Sequence, residues 1–124
     1  MIKYDDLLGV PFKAHGRDKS GMDCYGLVLE CLRREGKSLP DFFYEDTRQP
    51  ASEAPIYASR TGARETAKAP GTVAEYDVEG NLHCGYMLDR ELLLHMTHGG
   101  VRVSPIGIFK NVTFYEVQHG FRSI

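Results

Sequence analysis

The chain has 124 residues, which fits one domain around a single core, and we predict a single domain over residues 1–124. Its composition, 42% hydrophobic and 26% charged, is typical of a folded globular protein and argues against a disordered or membrane chain. The formal net charge is -2 and no long basic stripe is present, so nucleic-acid binding has no support.

The start of the chain and its cysteines indicate a compartment. Met1 to Gly9 contains two acids where a signal peptide needs an apolar run, and no stretch reaches transmembrane length. We therefore expect a protein that is cytoplasmic as synthesised and does not insert into a membrane. Three cysteines cannot all pair and are too few for a disulfide framework. Free thiols are expected, which leaves a thiol nucleophile available.

The first third of the chain predicts two helices separated by a loop. Lys3 to Leu8 has a short amphipathic pattern, and Lys13 to Gly21 is rich in glycine and charge, as loops are. From Cys24 to Glu35 apolar residues recur at helical spacing. Asp23 stands where an N-cap is expected and Gly36 supplies a stop, so this helix is the clearest element of the sequence.

The rest of the chain predicts a loop followed by a sheet. Tyr44 to Pro70 lacks a clear period and is interpreted as mostly loop. Alternating and β-branched residues after Pro70 predict strands at Thr72 to Asp77, Leu82 to Leu88, Leu92 to Thr97, Val101 to Ser104 and Val112 to Gln118. Helices that precede an antiparallel sheet indicate an α+β fold.

Cys24 is the candidate nucleophile because it begins the predicted helix. A helix N-terminus favours a thiolate, and its free N–H groups could form an oxyanion hole. Cys24 shares a helical stripe with Val28 and Cys31, so we expect it to point at the edge of the sheet. The competing interpretation is a small buried hydrophobe, and it suits Cys31 and Cys84 better than Cys24.

His83 is the candidate base. It shares a strand face with Gly85, where a missing side chain would leave room for a ligand. His95 lies on the next strand, across a predicted hairpin. If Leu88 pairs with Leu92 around a three-residue loop, His95 lies diagonally opposite His83 on the same face. A loop of two or four residues would place the two histidines on opposite faces.

The same residues could instead bind a metal ion. Cys24, His83 and His95 could supply three ligands, but no close Cys-x-x-Cys or His-x-x-x-His pair accompanies them. We therefore expect neither a metal nor another cofactor. The remaining histidines are interpreted as structural or surface residues: His15, His98 and His119.

Three sequence blocks, in this order, resemble the NlpC/P60 family of papain-like cysteine peptidases of bacterial cell walls. They are Asp23 to Val28 (Asp-Cys-Tyr-Gly-Leu-Val), His83 to Tyr86 (His-Cys-Gly-Tyr) and Leu94-His95. The branch that the chain resembles most is the phage and prophage tail-assembly type, which also has Asp-Cys-Tyr, a Leu-Pro-Asp after the helix and no signal peptide. This resemblance covers most of the chain.

The resemblance implies a papain-like fold in which N-terminal helices, with the cysteine at a helix N-terminus, pack on an antiparallel sheet. It implies hydrolysis of peptidoglycan stem peptides, typically between D-glutamate and a diamino acid, through an acyl-enzyme. Cys24 would be the nucleophile, His83 the base and His95 the orienting residue. Substrate contacts are expected from Phe12, Asp23, Tyr25 and Gly85.

Some positions depart from the family pattern. Phe12 replaces a tyrosine whose hydroxyl usually lies near the active site, His15-Gly16 stands where Gly-Gly is common, and Cys84 replaces a valine. The implied partners are the peptidoglycan peptide and phage tail proteins, with delivery to the wall in a phage particle or by a secretion system. Alternatives left open are a type VI effector-like amidase with another substrate, a non-catalytic tail component, and a zinc-binding module.

Overall fold

The computed structural model of the protein describes residues 1–39 and 63–117. After a short 3₁₀ turn at Asp5–Leu7 come strands β1 and β2 and then the helix α1; the sheet and a second 3₁₀ turn at Ile106–Ile108 follow. The bounds are β1 Arg17–Asp18, β2 Gly21–Met22, α1 Cys24–Arg34, β3 Arg64–Thr66, β4 Val73–Val78, β5 Asn81–Met87, β6 Leu92–Thr97, β7 Gly100–Pro105 and β8 Lys110–Glu116.

The main sheet has six antiparallel strands in the order β3-β8-β4-β5-β6-β7, and β1 and β2 form a separate small hairpin. The helix α1 packs on β5 and β6, which are interior strands. One helix on an antiparallel sheet confirms the predicted α+β class. Within the two described ranges, no helix is long and apolar enough to span a bilayer.

The helix α1 begins and ends where the sequence indicates. Asp23 has an extended backbone, and its carboxylate accepts a hydrogen bond from the Gly26 N–H at 2.7 Å and so caps the first turn. At the other end Gly36 has a φ of 81°, a left-handed conformation that glycine adopts without a steric penalty. Both the predicted cap and the predicted stop are confirmed.

The two faces of the sheet have separate cores. The face toward α1 carries Cys84, Tyr86 and Leu94, which pack against helix residues such as Leu27, Val28 and Cys31 in the larger core. The opposite face carries a smaller core of Ala74, Tyr76, Met87, Leu93 and Ile106. Because strand residues alternate between faces, His83 and His95 belong to the side away from α1.

Tight turns fix the register of three hairpins. Glu79 and Gly80 join β4 to β5 and both have positive φ, as a type I′ turn requires. The two residues after Thr97 join β6 to β7, with Thr97 paired to Gly100. Between β5 and β6, the Leu88 N–H donates to the Leu92 carbonyl at 2.9 Å around a three-residue loop. The odd loop that the two-histidine hypothesis requires is therefore present.

The N-terminal segment differs from its prediction. In place of a helix over Lys3 to Leu8, only the 3₁₀ turn Asp5–Leu7 forms, because Leu7 is the only residue of that turn that is buried and the chain then extends. Gly9 N–H donates to the Val101 carbonyl, and Val101 N–H donates to the Val10 carbonyl, both at 3.0 Å. This segment thus covers the free edge of β7.

Two predicted loops contain strands. The stretch Lys13 to Gly21 includes β1 and most of the β1–β2 hairpin, whose turn is held by Asp18 accepting the N–H of Ser20 at 2.9 Å. The stretch Tyr44 to Pro70 includes β3, which pairs with β8 at the sheet edge. Short edge strands of polar residues give no alternation to read. Residues 44–62 of that stretch, and Gln118 and His119, lie outside the described residues.

Candidate active site

Cys24 is the first residue of α1 and is partly buried. The helical stripe predicts that Cys24 points at the edge of the sheet. The helix α1 packs on interior strands instead, so Cys24 is not beside an edge strand. It lies instead beside the place where β5 and β6 stop pairing: their ladder consists of Tyr86 with Leu94 and Met87 with Leu93. Beyond these pairs, both strands line a cavity.

This cavity has a volume of about 570 Å³. Cys24, His83 and His95 all contribute to its wall, and apolar walls come from residues that include Phe12, Leu82 and Phe109. The structure therefore brings together the three residues that the sequence predicts to be catalytic. A cavity lined by a nucleophile at a helix N-terminus and by two strand-borne imidazoles is an arrangement suited to acyl transfer.

Burial favours the neutral form of both histidines. Burial lowers the pKa of His83 below its ordinary 6.5; nearby His98 lowers it further and the carboxylate of Asp77 opposes the shift. Burial likewise lowers the pKa of His95, with smaller contributions from Arg102 and His83. Neutral His83 can accept a proton, which is what a general base requires.

Each imidazole is held by a neighbour. The Tyr76 ring stacks on His83 with centroids 6.2 Å apart, and the Phe109 ring meets His95 edge-on at 5.3 Å. The Nε2 of His95 lies 2.7 Å from the Ser104 hydroxyl. In the described part of the chain, His83 makes no hydrogen bond to Cys24 or His95. Catalytic hydrogen bonds commonly tighten only when substrate is bound.

A family model, that of the NlpC/P60 family, matches residues 9–118. The chain belongs to the NlpC/P60 family. Members of this family are cysteine peptidases and related hydrolases that act on peptidoglycan. The family assignment confirms the resemblance to the NlpC/P60 family as a whole, and the papain-like fold is confirmed with it.

A solved structure agrees in fold. The NlpC/p60 domain of the peptidoglycan hydrolase SagA superimposes with a TM-score of 0.57 at 18% sequence identity, over 88% of this chain and 87% of that chain. At this identity the likeness shows the fold alone. No curated protein sequence matches the chain.

The Asp-Cys-Tyr-Gly block of this NlpC/P60 chain has a structural explanation at Asp23. That carboxylate is fully buried and accepts hydrogen bonds from the Gly26 N–H at 2.7 Å, the Arg17 guanidinium at 2.7 Å and the His15 N–H at 3.2 Å. With both oxygens occupied, Asp23 is not presented to the cavity. Its contacts fix the residue that precedes the nucleophile.

Residue 26 must be glycine because the backbone of Gly16 lies too close for a side chain. A Cβ at this position would lie 2.3 Å from the carbonyl oxygen of Gly16. The loop before α1 therefore packs against the first turn of the helix in a way that no larger residue allows. His15, where the family commonly has glycine, has a φ of 63°, a left-handed conformation that glycine adopts more readily.

The other predicted substrate-binding residues lie in different settings. Phe12 is 49% exposed at the cavity wall, where it can contact a ligand. Tyr25 is buried, with the Arg17 guanidinium 5.9 Å from its ring centre. The space beside Gly85 is not open to a ligand, because a Cβ there would lie 2.7 Å from Leu93 Cδ1. The substrate roles of Tyr25 and Gly85 thus gain no geometric support.

Cys84 lies closer to the nucleophile than the sequence suggests. It is buried on the α1 side of β5, as alternation predicts, and its thiol interacts with Cys24. Burial, together with Cys24, raises the pKa of Cys84, so its S–H stays protonated beside the nucleophile. Cys31 is also buried, which raises its pKa to about 12. Both fit the predicted packing roles.

Three site residues were missed by the sequence reasoning: Tyr76, Phe109 and Ser104. A signal for two of them was present in the turns. A two-residue turn at Glu79-Gly80 places Tyr76 opposite His83. The β6–β7 turn places Ser104 opposite Leu93, two residue pairs from His95 and on the same face of the sheet. Phe109 follows the second 3₁₀ turn and had no such signal.

The described residues do not form a metal centre. Within residues 1–39 and 63–117, no group of three or more histidine, cysteine, aspartate or glutamate side chains is arranged to hold a metal ion. Cys24 and the two histidines surround the cavity without converging on one point. The arrangement suits nucleophilic catalysis better than metal binding.

Proposed function

We propose that this NlpC/P60 chain is a cysteine peptidase or amidase that hydrolyses peptidoglycan stem peptides through an acyl-enzyme on Cys24. The observation that carries the proposal is the meeting of Cys24, His83 and His95 on one cavity. The family assignment supports the substrate class. Geometry supports the chemistry, because the nucleophile on α1 and the base on β5 line the same cavity.

The proposed reaction has two steps. Neutral His83 takes the proton of the Cys24 thiol, the thiolate attacks the amide carbonyl to form a C–S bond, and backbone N–H groups at the start of α1 stabilise the oxyanion. His83 protonates the leaving amine and then, as a base, activates the water that releases the acyl group. His95 orients His83 throughout. No cofactor takes part.

The proposal extends to the bond that is cleaved, the type of NlpC/P60 protein and the compartment. The bond between D-glutamate and a diamino acid is supported by the sequence resemblance, as is the phage or prophage tail type with tail proteins as partners. The protein would be cytoplasmic as synthesised and would reach the wall in a phage particle or through a secretion system. Asp-Cys-Tyr at Cys24 and Leu-Pro-Asp after α1 are the features that support this type.

The test is digestion of purified peptidoglycan and its muropeptides, with the products identified by mass spectrometry. We expect fragments that end at the D-glutamyl residue, and none with Cys24→Ala. A different cleaved amide would indicate the type VI effector-like alternative. Since Cys31 is buried in the same helix, it is a matched control for labelling: iodoacetamide should modify Cys24 much faster.

Absence of fragments, together with equal labelling of Cys24 and Cys31, would overturn the enzyme proposal. That result would leave the non-catalytic tail component as the better interpretation. Absence of fragments with fast Cys24 labelling would retain the thiol chemistry and overturn the peptidoglycan substrate.

A further inference from the structure

Ser104 is placed to act on the catalytic histidines. It lies on β7 opposite Leu93, so its side chain shares the face of His95 and lies diagonal to it. Its hydroxyl oxygen is 2.7 Å from Nε2 of His95, which is 7% exposed. This is the hydrogen bond that the structure gives to the His95 ring.

The chemistry of the site decides the direction of that bond. When His83 takes a proton from the thiol, both of its ring nitrogens carry hydrogen, and the one turned away from Cys24 needs an acceptor. In the proposed mechanism His95 is the orienting residue, and it can accept this hydrogen bond only through a bare ring nitrogen. A neutral imidazole has one N–H and one bare nitrogen, so the hydrogen of His95 must then lie on the other nitrogen.

We propose that Ser104 is a positioning residue that fixes His95 as the Nε2–H tautomer, so that Nδ1 stays bare and accepts a hydrogen bond from His83. In this arrangement the Nε2–H of His95 donates to the Ser104 hydroxyl, and the serine hydroxyl hydrogen is free to point elsewhere. The proposal rests on the proposed function, because it assigns a role within that reaction.

The opposite direction would oppose catalysis. If the Ser104 hydroxyl donated to Nε2, the hydrogen of His95 would lie on Nδ1, and two N–H groups would face each other between the imidazoles. The Phe109 ring lies nearly perpendicular to the His95 ring, with centroids 5.3 Å apart, and so packs beside the imidazole. In the proposed arrangement, the bond to Ser104 selects the Nε2–H tautomer, and Phe109 packs beside the ring.

The direct test is the tautomer itself. Nitrogen-15 NMR of the histidine rings distinguishes a ring that carries hydrogen on Nε2 from one that carries it on Nδ1. We expect His95 to be the Nε2–H form in the unmodified protein, and a mixture of both forms in Ser104→Ala. Ser104→Thr keeps the hydroxyl on a strand that accepts β-branched residues, and we expect it to restore the Nε2–H form.

Kinetics supply the second readout. Loss of an outer hydrogen bond to a metal-bound histidine costs about tenfold to a hundredfold in activity, and we take the same range for the bond that positions His95. We expect Ser104→Ala to lose that much kcat with KM within about twofold, and Ser104→Thr to recover most of it. Thr66→Ala, which removes a hydroxyl from the far edge strand β3, is the matched control and should leave kcat unchanged.

The two hypotheses fail separately. An Nδ1–H tautomer of His95 in the unmodified protein, or an unchanged tautomer in Ser104→Ala, overturns the role of Ser104 even if the enzyme is active. A serine-dependent Nε2–H tautomer in a protein that cuts no peptidoglycan supports the positioning and overturns the proposed substrate. Equal loss of kcat in the alanine and threonine variants also overturns the proposal.

Discussion

The nucleophile and the histidines are positioned by two different kinds of structure. At the residue before Cys24, the hydrogen bonds join residues close in sequence: Asp23 binds Gly26, Arg17 and His15, none of them more than eight positions away. Around His83 and His95, the contacts cross from strand to strand, through hairpin register and the bond to Ser104. Local hydrogen bonds hold the helix start in position, whereas the register of the sheet holds the two histidines in position.

The difference has a consequence for catalysis. A local error at Asp23 would loosen the helix N-terminus without moving the histidines. A register slip of one residue in the β5–β6 hairpin would turn His95 to the opposite face while leaving Cys24 in place. The two halves should therefore respond to substitution in distinct ways, the helix start mainly in stability and the strand pair mainly in rate.

The largest expected effect contrasts the two histidines. His83→Gln removes the base, and we expect kcat/KM for stem-peptide cleavage to fall about 10³-fold or more. His95→Gln keeps a polar side chain at the orienting position and should cost about tenfold to a hundredfold. Steady-state kinetics on the peptide identified by mass spectrometry measure both. Equal losses would contradict separate roles for a base and an orienting residue.

The next effect tests the helix start. Asp23→Ala removes the N-cap and the ion pair with Arg17 at a fully buried position, so we expect the free energy of unfolding to fall by about 2–4 kcal/mol. Asp89→Ala is the control in the other half, because Asp89 also accepts two backbone N–H groups but in a more exposed loop. It should cost about 1 kcal/mol in urea titration. A larger loss at Asp89 would reverse the comparison.

A smaller effect is expected from the glycine in the first turn of α1. Gly26→Ala places a Cβ against the Gly16 carbonyl, and we expect a loss of about 1–3 kcal/mol from the forced backbone shift. Gly107→Ala is the matched control, since no atom lies within 4 Å of its added Cβ. Thermal unfolding of both variants measures the difference. Similar melting temperatures would show that the loop before α1 moves away from the added Cβ without a loss of stability.

The smallest effect is a shift in pH dependence. Since burial lowers the pKa of His83, its neutral form persists to lower pH, and kcat/KM should fall only below the usual 6.5 as pH decreases. His98→Gln removes a neighbour that lowers this pKa, so the acid limb should move upward. Asp77→Asn removes a charge that raises it, so the limb should move downward. Shifts in the same direction would contradict this assignment.

Much of the local half follows from the sequence. Capping rules predict a helix that starts after Asp23, at Cys24, and stops at Gly36, and the structure agrees with them. The alternation in Leu82 to Leu88 likewise predicts a strand with His83 and Cys84 on opposite faces. These features depend on residues that are neighbours in the chain, and a sequence displays such neighbours directly.

What depends on three-dimensional contact could not be predicted. The thiol of Cys84 meets Cys24 only because α1 crosses β5 at that point, and no spacing in the sequence encodes the crossing. The open space expected beside Gly85 is filled by Leu93, since β6 approaches β5 there. The strand β3 forms only because β8 supplies a partner, and its own residues are polar.

The segment that precedes β1 connects the two halves of the site through main-chain hydrogen bonds. Gly9 and Val10 exchange hydrogen bonds with Val101 on β7, the partner strand of the one that carries His95. Pro11 and Lys13 exchange hydrogen bonds with Met22, two residues before Cys24. A few consecutive residues thus span the gap between the two halves by main-chain bonds alone. This strip of backbone ties the start of α1 to the strand beside the one that carries His95, so a change in its main-chain bonds would act on both halves of the site at once.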